Sequence, residues 1–218
     1  SLQAYDENDW ITLKKSKKCE NCDLTNANLS KLDLSNAMLS GSNLSLANLT
    51  NTNFFKADLS YSSLVKSKSF IANLDFANLE GANLTEARLN GASLRGANLI
   101  DATLISTVLS KSKLDEIILD GANLKYTKFR GADLQKAKLN GSILSFTDFS
   151  AADLTEAEMI SLDLTNSVFI SAKLDKVNFM NTNVSGMNFA KFSLTKANFV
   201  NSITCNTIFL WGEDIEKC

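Results

Sequence analysis

The 218-residue chain has no histidine and no proline, and only nine glycines. Lacking histidine, it has neither the commonest general base nor the commonest neutral metal ligand. The absence of proline suits a backbone in which nearly every segment both donates and accepts ladder hydrogen bonds. No apolar run approaches the length of a membrane span, and the sequence contains no secretory signal, so no membrane span is expected. Charge of one sign is missing as well: 22 bases face 24 acids for a net charge of −2. No basic stripe with interleaved aromatics is visible along the chain, and direct nucleic-acid binding is therefore not expected.

What the chain does have is a period of five. Counting in fives from Leu24 to Phe199 gives 36 positions, of which 26 are Leu and seven Phe; Met159, Val184 and Ser69 complete the set. We call these positions centres. Two residues before each centre stands Ala in 18 cases and Ser, Thr or Cys in 12, the larger exceptions being Leu32, Ile117, Leu162, Val177, Met187 and Phe192. Five steps of a helix rotate by about 140°, and five steps of a strand reverse the face, so neither element keeps the leucines together. A chain that turns a corner every five residues does, because a centre and the residue two before it share one strand face. Four sides close a square coil of about twenty residues, which stacks residue n on n+20 and yields about nine coils.

Eight of the nine glycines, among them Gly41, Gly96 and Gly141, sit two after a centre, at the corner where a permissive backbone is required. None belongs to a phosphate-cradling loop.

The units Ala27-Asn28-Leu29, Ala82-Asn83-Leu84, Gly96-Ala97-Asn98-Leu99, Gly121-Ala122-Asn123-Leu124 and Gly131-Ala132-Asp133-Leu134 resemble those of the pentapeptide-repeat family. The resemblance covers about four fifths of the chain and implies an all-β fold, a right-handed quadrilateral parallel β-helix. The expected organisation is an N-terminal helical cap over 1–18, the β-helix over 19–201 and a C-terminal capping tail over 202–218. In the first segment Asp6, Glu7 and Asp9 precede Trp10, Ile11 and Leu13, with Lys14, Lys15, Lys17 and Lys18 following. That order suits a short helix whose Trp10 and Leu13 lie over the first coil.

All four cysteines lie near the ends, at Cys19, Cys22, Cys205 and Cys218. Nine coils separate the two pairs, so no shared zinc site is expected and the options are disulfides or free buried thiols. The expected pairing is Cys19 with Cys22 and Cys205 with Cys218, the latter closing the tail around Phe209 and Trp211. The opening Cys19-Glu20-Asn21-Cys22-Asp23-Leu24 and the tail Cys205-Asn206-Thr207-Ile208 are similar to those of exported cyanobacterial and chloroplast members. That similarity implies a thylakoid lumen or periplasm, the alternative being the cytoplasm.

No catalytic residue, cofactor or metal site is expected, since no serine or threonine has a base to activate it. Asp75, Arg95 and Asp115, and Glu116, Lys136, Glu156 and Lys176, fall into columns of alternating sign and read as charge ladders on a solvated surface. The candidate partner surface is Phe55, Phe70, Ile71 and Phe76, next to the one polar centre, Ser69. Either Phe70 swings inward to replace the missing leucine or the cluster is exposed. Ile160, Met180 and Val200 form a second apolar column, which a segment after Asn201 is expected to cover. Left open, it would point to an end-to-end dimer instead of the favoured monomer. Phe129, Phe149, Phe169, Phe189 and Phe209 are expected to form one inner stack.

The chain thus reads as a non-enzymatic structural or protein-interaction solenoid whose protein partner is unknown. The family resemblance implies one alternative: some members imitate duplex DNA and bind type II topoisomerases such as DNA gyrase. The near-neutral charge and the uninterrupted repeats count against it.

Overall fold

The computed structural model describes residues 5–210 and 212–214. One short helix, α1 (Glu7–Ser16), precedes a right-handed quadrilateral β-helix. Asp6 caps α1, its carboxylate accepting from the Asn8 and Asp9 amides at 2.8 and 3.1 Å. Lys17 closes it in the left-handed region, donating its N–H to Leu13 O. Leu13 is fully buried in the solenoid core, while Trp10 packs against that core half-buried.

Each five-residue side is built the same way. The centre donates its N–H to the residue nineteen on, as Leu24 does to Asn43 O at 2.8 Å, and Asn43 returns a bond to Cys22 O at 2.8 Å. These exchanges form parallel bridges at a spacing of twenty residues, from Lys18↔Met38 to Asn188↔Ile208. Between sides the chain makes a tight turn, for example Ala27 N–H to Leu24 O at 3.0 Å.

The preference for Asn or Asp just before the centre has a local cause, because that side chain accepts from the amide two residues on. Asn73 Oδ1 holds the Asp75 N–H at 3.0 Å, and its own Nδ2 donates to Asn53 Oδ1 one coil away at 3.1 Å. Where Thr replaces Ala inside, its hydroxyl finds a carbonyl on the preceding coil, as Thr107 does with Leu84 O at 2.7 Å.

We number the faces by their first centres: face one from Leu24, face two from Leu29, face three from Leu34, face four from Leu39. The centres are buried on all four, except that Leu194 and Phe199 near the C-terminal end are half-buried. Ser69 keeps the register and is 1% exposed, with its hydroxyl 3.3 Å from that of Ser67. Phe70 therefore does not replace it in the core. A bulge there would forfeit the ladder bond from the Ser69 N–H to Arg88 O, which stands at 2.8 Å.

The register also outlasts Asn201. Thr204, Thr207 and Phe209 remain buried, and Asn183↔Ile203 and Asn188↔Ile208 continue the ladder. The segment expected as tail thus begins as more of the coil. Strand β1 (Thr207–Phe209) then pairs antiparallel with β2 (Gly212–Asp214). The described part of this segment does not cover the second apolar column, since Val200 is 55% exposed. Trp211 and Cys218 lie outside the described residues.

Candidate interaction surfaces

The turn residue two after nearly every centre has φ near +60°, Asn166 and Lys191 being exceptions, and at most corners it is not glycine: Asn26, Lys56, Tyr61 and Phe76 all adopt this conformation. Backbone freedom is therefore not what selects the corner glycines. Two of them, Gly81 and Gly96, support an aromatic ring from the coil before. A methyl group on Gly96 would lie 2.8 Å from the Phe76 ring, and one on Gly81 would lie 2.6 Å from the Tyr61 ring. Each ring thus reaches the corner of the next coil.

This seating creates the aromatic patch. Phe76 spans two coils, with Gly96 on one side and Phe55 on the other, its ring edge-to-face with Phe55 at 5.9 Å. The Lys56 ammonium stands 5.3 Å from the Phe55 ring. Ile71 and Phe76 are largely exposed, whereas Phe55 and Phe70 are half-buried. Phe55 and Phe76 thus touch, while Phe70 and Ile71 lie around the next corner on the same coil as Phe76. Tyr61, at a corner of the preceding coil, donates its hydroxyl to Glu80 Oε1 at 3.0 Å.

The charge ladders form largely on face three and its edge. Arg95 binds Asp115 through Nε at 2.9 and 3.1 Å and takes Asp75 on its amide at 3.0 Å. Lys176 meets Glu156 at 2.7 Å, and Lys173 meets Asp153 at 2.8 Å. Hydrogen bonding from Lys176 lowers the Glu156 pKa, and a hydrogen bond from Ser193 lowers that of Asp175. In Asp153, burial alone would raise the pKa, but bonds from Lys173 and Thr155 outweigh it and the net shift is downward.

At the N-terminal end Cys19 and Cys22 are joined by a disulfide in the first coil. Asp9 brings a carboxylate close to both sulfurs. The bonded sulfurs offer no thiolate, however, and the Asp9 carboxylate accepts the Asp23 amide at 2.8 Å.

One feature had no counterpart in the sequence reading. The ladder is interrupted on faces two and three between the coil of Phe169 and that of Phe189. One coil earlier, Phe149 and Ala151 donate to Val168 O and Ile170 O, each at 2.7 Å. Among the described residues, Phe169, Ser171 and Leu174 make no such bond, and Val168 and Lys173 have no bridge to the coil above. A cavity of about 930 Å³ opens there, lined by Phe169, Ala172, Met187 and Phe192, with Lys173 and Lys191 at its rim.

Side-chain volume accounts for it: Met187 and Phe192 occupy two successive small inward positions in a coil that already holds Phe189 and Phe199. The ladder is also interrupted on face one, where, among the described residues, Ile143 and Asp163 form no bridge beside the large inward residue Leu162. Ile117, a single large residue in the same register, leaves the ladder Ile118↔Lys138 intact. The expected five-ring stack divides at this cleft. Phe129, Phe149 and Phe169 stack at 5.2 and 5.0 Å and Phe189 with Phe209 at 5.7 Å, but Phe169 and Phe189 are not in ring contact.

Comparison with known proteins agrees with this architecture. The sequence pattern described as pentapeptide repeats matches in eight copies, over residues 18–54, 33–68, 72–110, 104–141, 132–169 and 147–186. Among solved structures, HetL, a pentapeptide-repeat protein involved in heterocyst differentiation regulation in the cyanobacterium Nostoc sp. strain PCC 7120, is 26% identical. The match covers 92% of this chain and 90% of HetL with a TM-score of 0.51. A trypsin-treated form of QnrB1, a plasmid-mediated fluoroquinolone resistance protein, shares the fold at 20% identity, 84% and 83% coverage and a TM-score of 0.52. No curated protein matches the chain in sequence. With the family pattern matching well over half of the chain and the coil geometry present side by side, the protein belongs to the pentapeptide-repeat family.

Proposed function

We propose that the protein is a non-catalytic docking scaffold, a stiff column that holds a protein partner on its outer faces. The observation that carries this reading is the patch of Phe55, Phe70, Ile71 and Phe76. Large apolar side chains on the outside of the solenoid contribute little to its core, and Phe76, 55% exposed, is held in place by Gly96 and Phe55. Imitation of duplex DNA at a type II topoisomerase would call for a continuous negative surface. The acids of face three are engaged by neighbouring bases, which favours the scaffold reading.

The test is quantitative affinity capture from the native source with wild type and with Phe76→Ser. Phe76 lies outside the core, so the variant is expected to keep its melting temperature and to lose the specifically captured partner. An unchanged capture profile would refute the patch as the docking site.

We further propose an oxidising compartment, thylakoid lumen or periplasm, supported by the Cys19–Cys22 disulfide. Mass spectrometry of non-reduced protein from its native compartment is expected to find this bond; free thiols at both positions would overturn the assignment.

A further inference from the structure

Face two carries a column of outward side chains in which every neighbour is a ladder partner: Asn48↔Lys68, Lys68↔Arg88, Arg88↔Val108, Val108↔Lys128. Lys68 and Arg88 are thus like charges stacked directly upon each other, an arrangement that costs stability. Lys111 and Arg130 stand beside this column, linked by the Lys111 N–H to Arg130 O at 2.9 Å. Arg130 has a distant carboxylate partner, Asp148 at 3.8 Å. Among the described residues, Lys68, Arg88, Lys111 and Lys128 make no ion pair, and all four are exposed. Face three, around the corner, keeps its charges in bonded pairs.

We propose that face two, from Lys68 to Lys128, docks a short acidic stretch of a partner polypeptide, with an apolar side chain of that stretch seated on Phe70 and Ile71. The proposal rests on the scaffold reading and names the chemistry of its partner. Three cations without a carboxylate as ladder partner, Lys68, Arg88 and Lys111, favour closely spaced carboxylates, whereas Lys128 already has Asp148 as its ladder partner. Phe70 lies on the same face one strand step from Lys68, and Ile71 follows at the corner, so apolar and cationic contacts adjoin. A long nucleic acid fits less well, because the cationic column ends at Asp148, the ladder partner of Lys128.

The experiment measures fluorescence anisotropy with a labelled decapeptide of eight glutamates and two central leucines. Binding to wild type is expected, weakening at least tenfold between low and moderate salt. Arg88→Glu is expected to reduce affinity at least tenfold. It also converts the repulsive Lys68–Arg88 stack into an attractive one, so the melting temperature should hold or rise, which separates loss of binding from loss of fold. Lys138→Glu, on face four, is the control and should bind as wild type does. Equal binding by wild type and Arg88→Glu would overturn the proposal, as would no binding to wild type or tighter binding of a twenty-residue oligodeoxythymidine. Phe76→Ser, whose side chain lies off face two, should still bind the peptide, so failure of the patch and failure of the cationic face are distinguishable.

Discussion

The corner residues show how a single atom decides what a coil can present. Non-glycine residues occupy the left-handed corner throughout the solenoid, at a cost of about 1–2 kcal/mol each that the ladder on either side offsets. Gly141 and Gly96 share that conformation but differ in what a side chain would meet: nothing within 4 Å at Gly141, the Phe76 ring at Gly96. Gly141→Ala is therefore expected to cost about 1 kcal/mol, the backbone term alone. Gly96→Ala should cost more and also release Phe76 from Phe55. Urea denaturation of both variants checks this, and equal losses would mean that the ring is not held by the glycine. The five-residue count finds every corner glycine, but it does not reveal that a ring twenty residues earlier lies across one.

At the scale of the coil, interior volume governs whether the ladder closes. Phe129 sits in an intact stack, fully buried, and Phe129→Ala is expected to cost about 3–5 kcal/mol. Phe192 touches Phe189 edge-to-face at 5.9 Å but holds open the cleft beside it. Phe192→Ala is expected to cost less than about 1 kcal/mol or to stabilise, because the coils can then close and recover their backbone bonds. Chemical denaturation gives the comparison, and hydrogen exchange should show new protection at Phe169 and Leu174. A loss for Phe192→Ala as large as that for Phe129→Ala would sink the overpacking account. The six oversized inward residues were visible in the sequence. Which of them would break the ladder was not, because Ile117 leaves it intact while Leu162, Met187 and Phe192 stand beside its interruptions.

Across the whole molecule the paired acids set the pH response. Glu156 and Asp175 have folded pKa values below their ordinary ones, so they release protons more readily in the folded protein than in the unfolded chain. Their contribution is fully present above the ordinary carboxylate range and is lost as pH falls through the lowered folded values. Glu156→Gln should therefore melt below wild type at pH 6, and the gap should narrow as the solution is acidified. A gap that does not change with pH would exclude the Lys176 pair as its source. Face two responds differently: Lys68 stacks on Arg88 with no carboxylate between them, so added salt should relieve that repulsion and leave the melting temperature unchanged or higher.

The square coil was legible in the sequence, because a period of five with small and large residues at intervals of two and three calls for a chain that corners every five residues; its right hand was implied only by the family resemblance. The same register placed Phe55 and Phe76 on adjacent coils and left open whether Ser69 or Phe70 would face inward. Tertiary structure decided the rest. It kept Ser69 inside, with its N–H bonded to Arg88 O, and left Phe70 half-buried beside the aromatic patch. It split the phenylalanine stack, since packing depends on the summed volume of a coil and not on one column. It also gathered Lys68, Arg88, Lys111 and Lys128, scattered over some sixty residues of chain, onto one face and left them unpaired. That outcome depends on which carboxylates lie within reach across a corner, and linear spacing does not encode that distance.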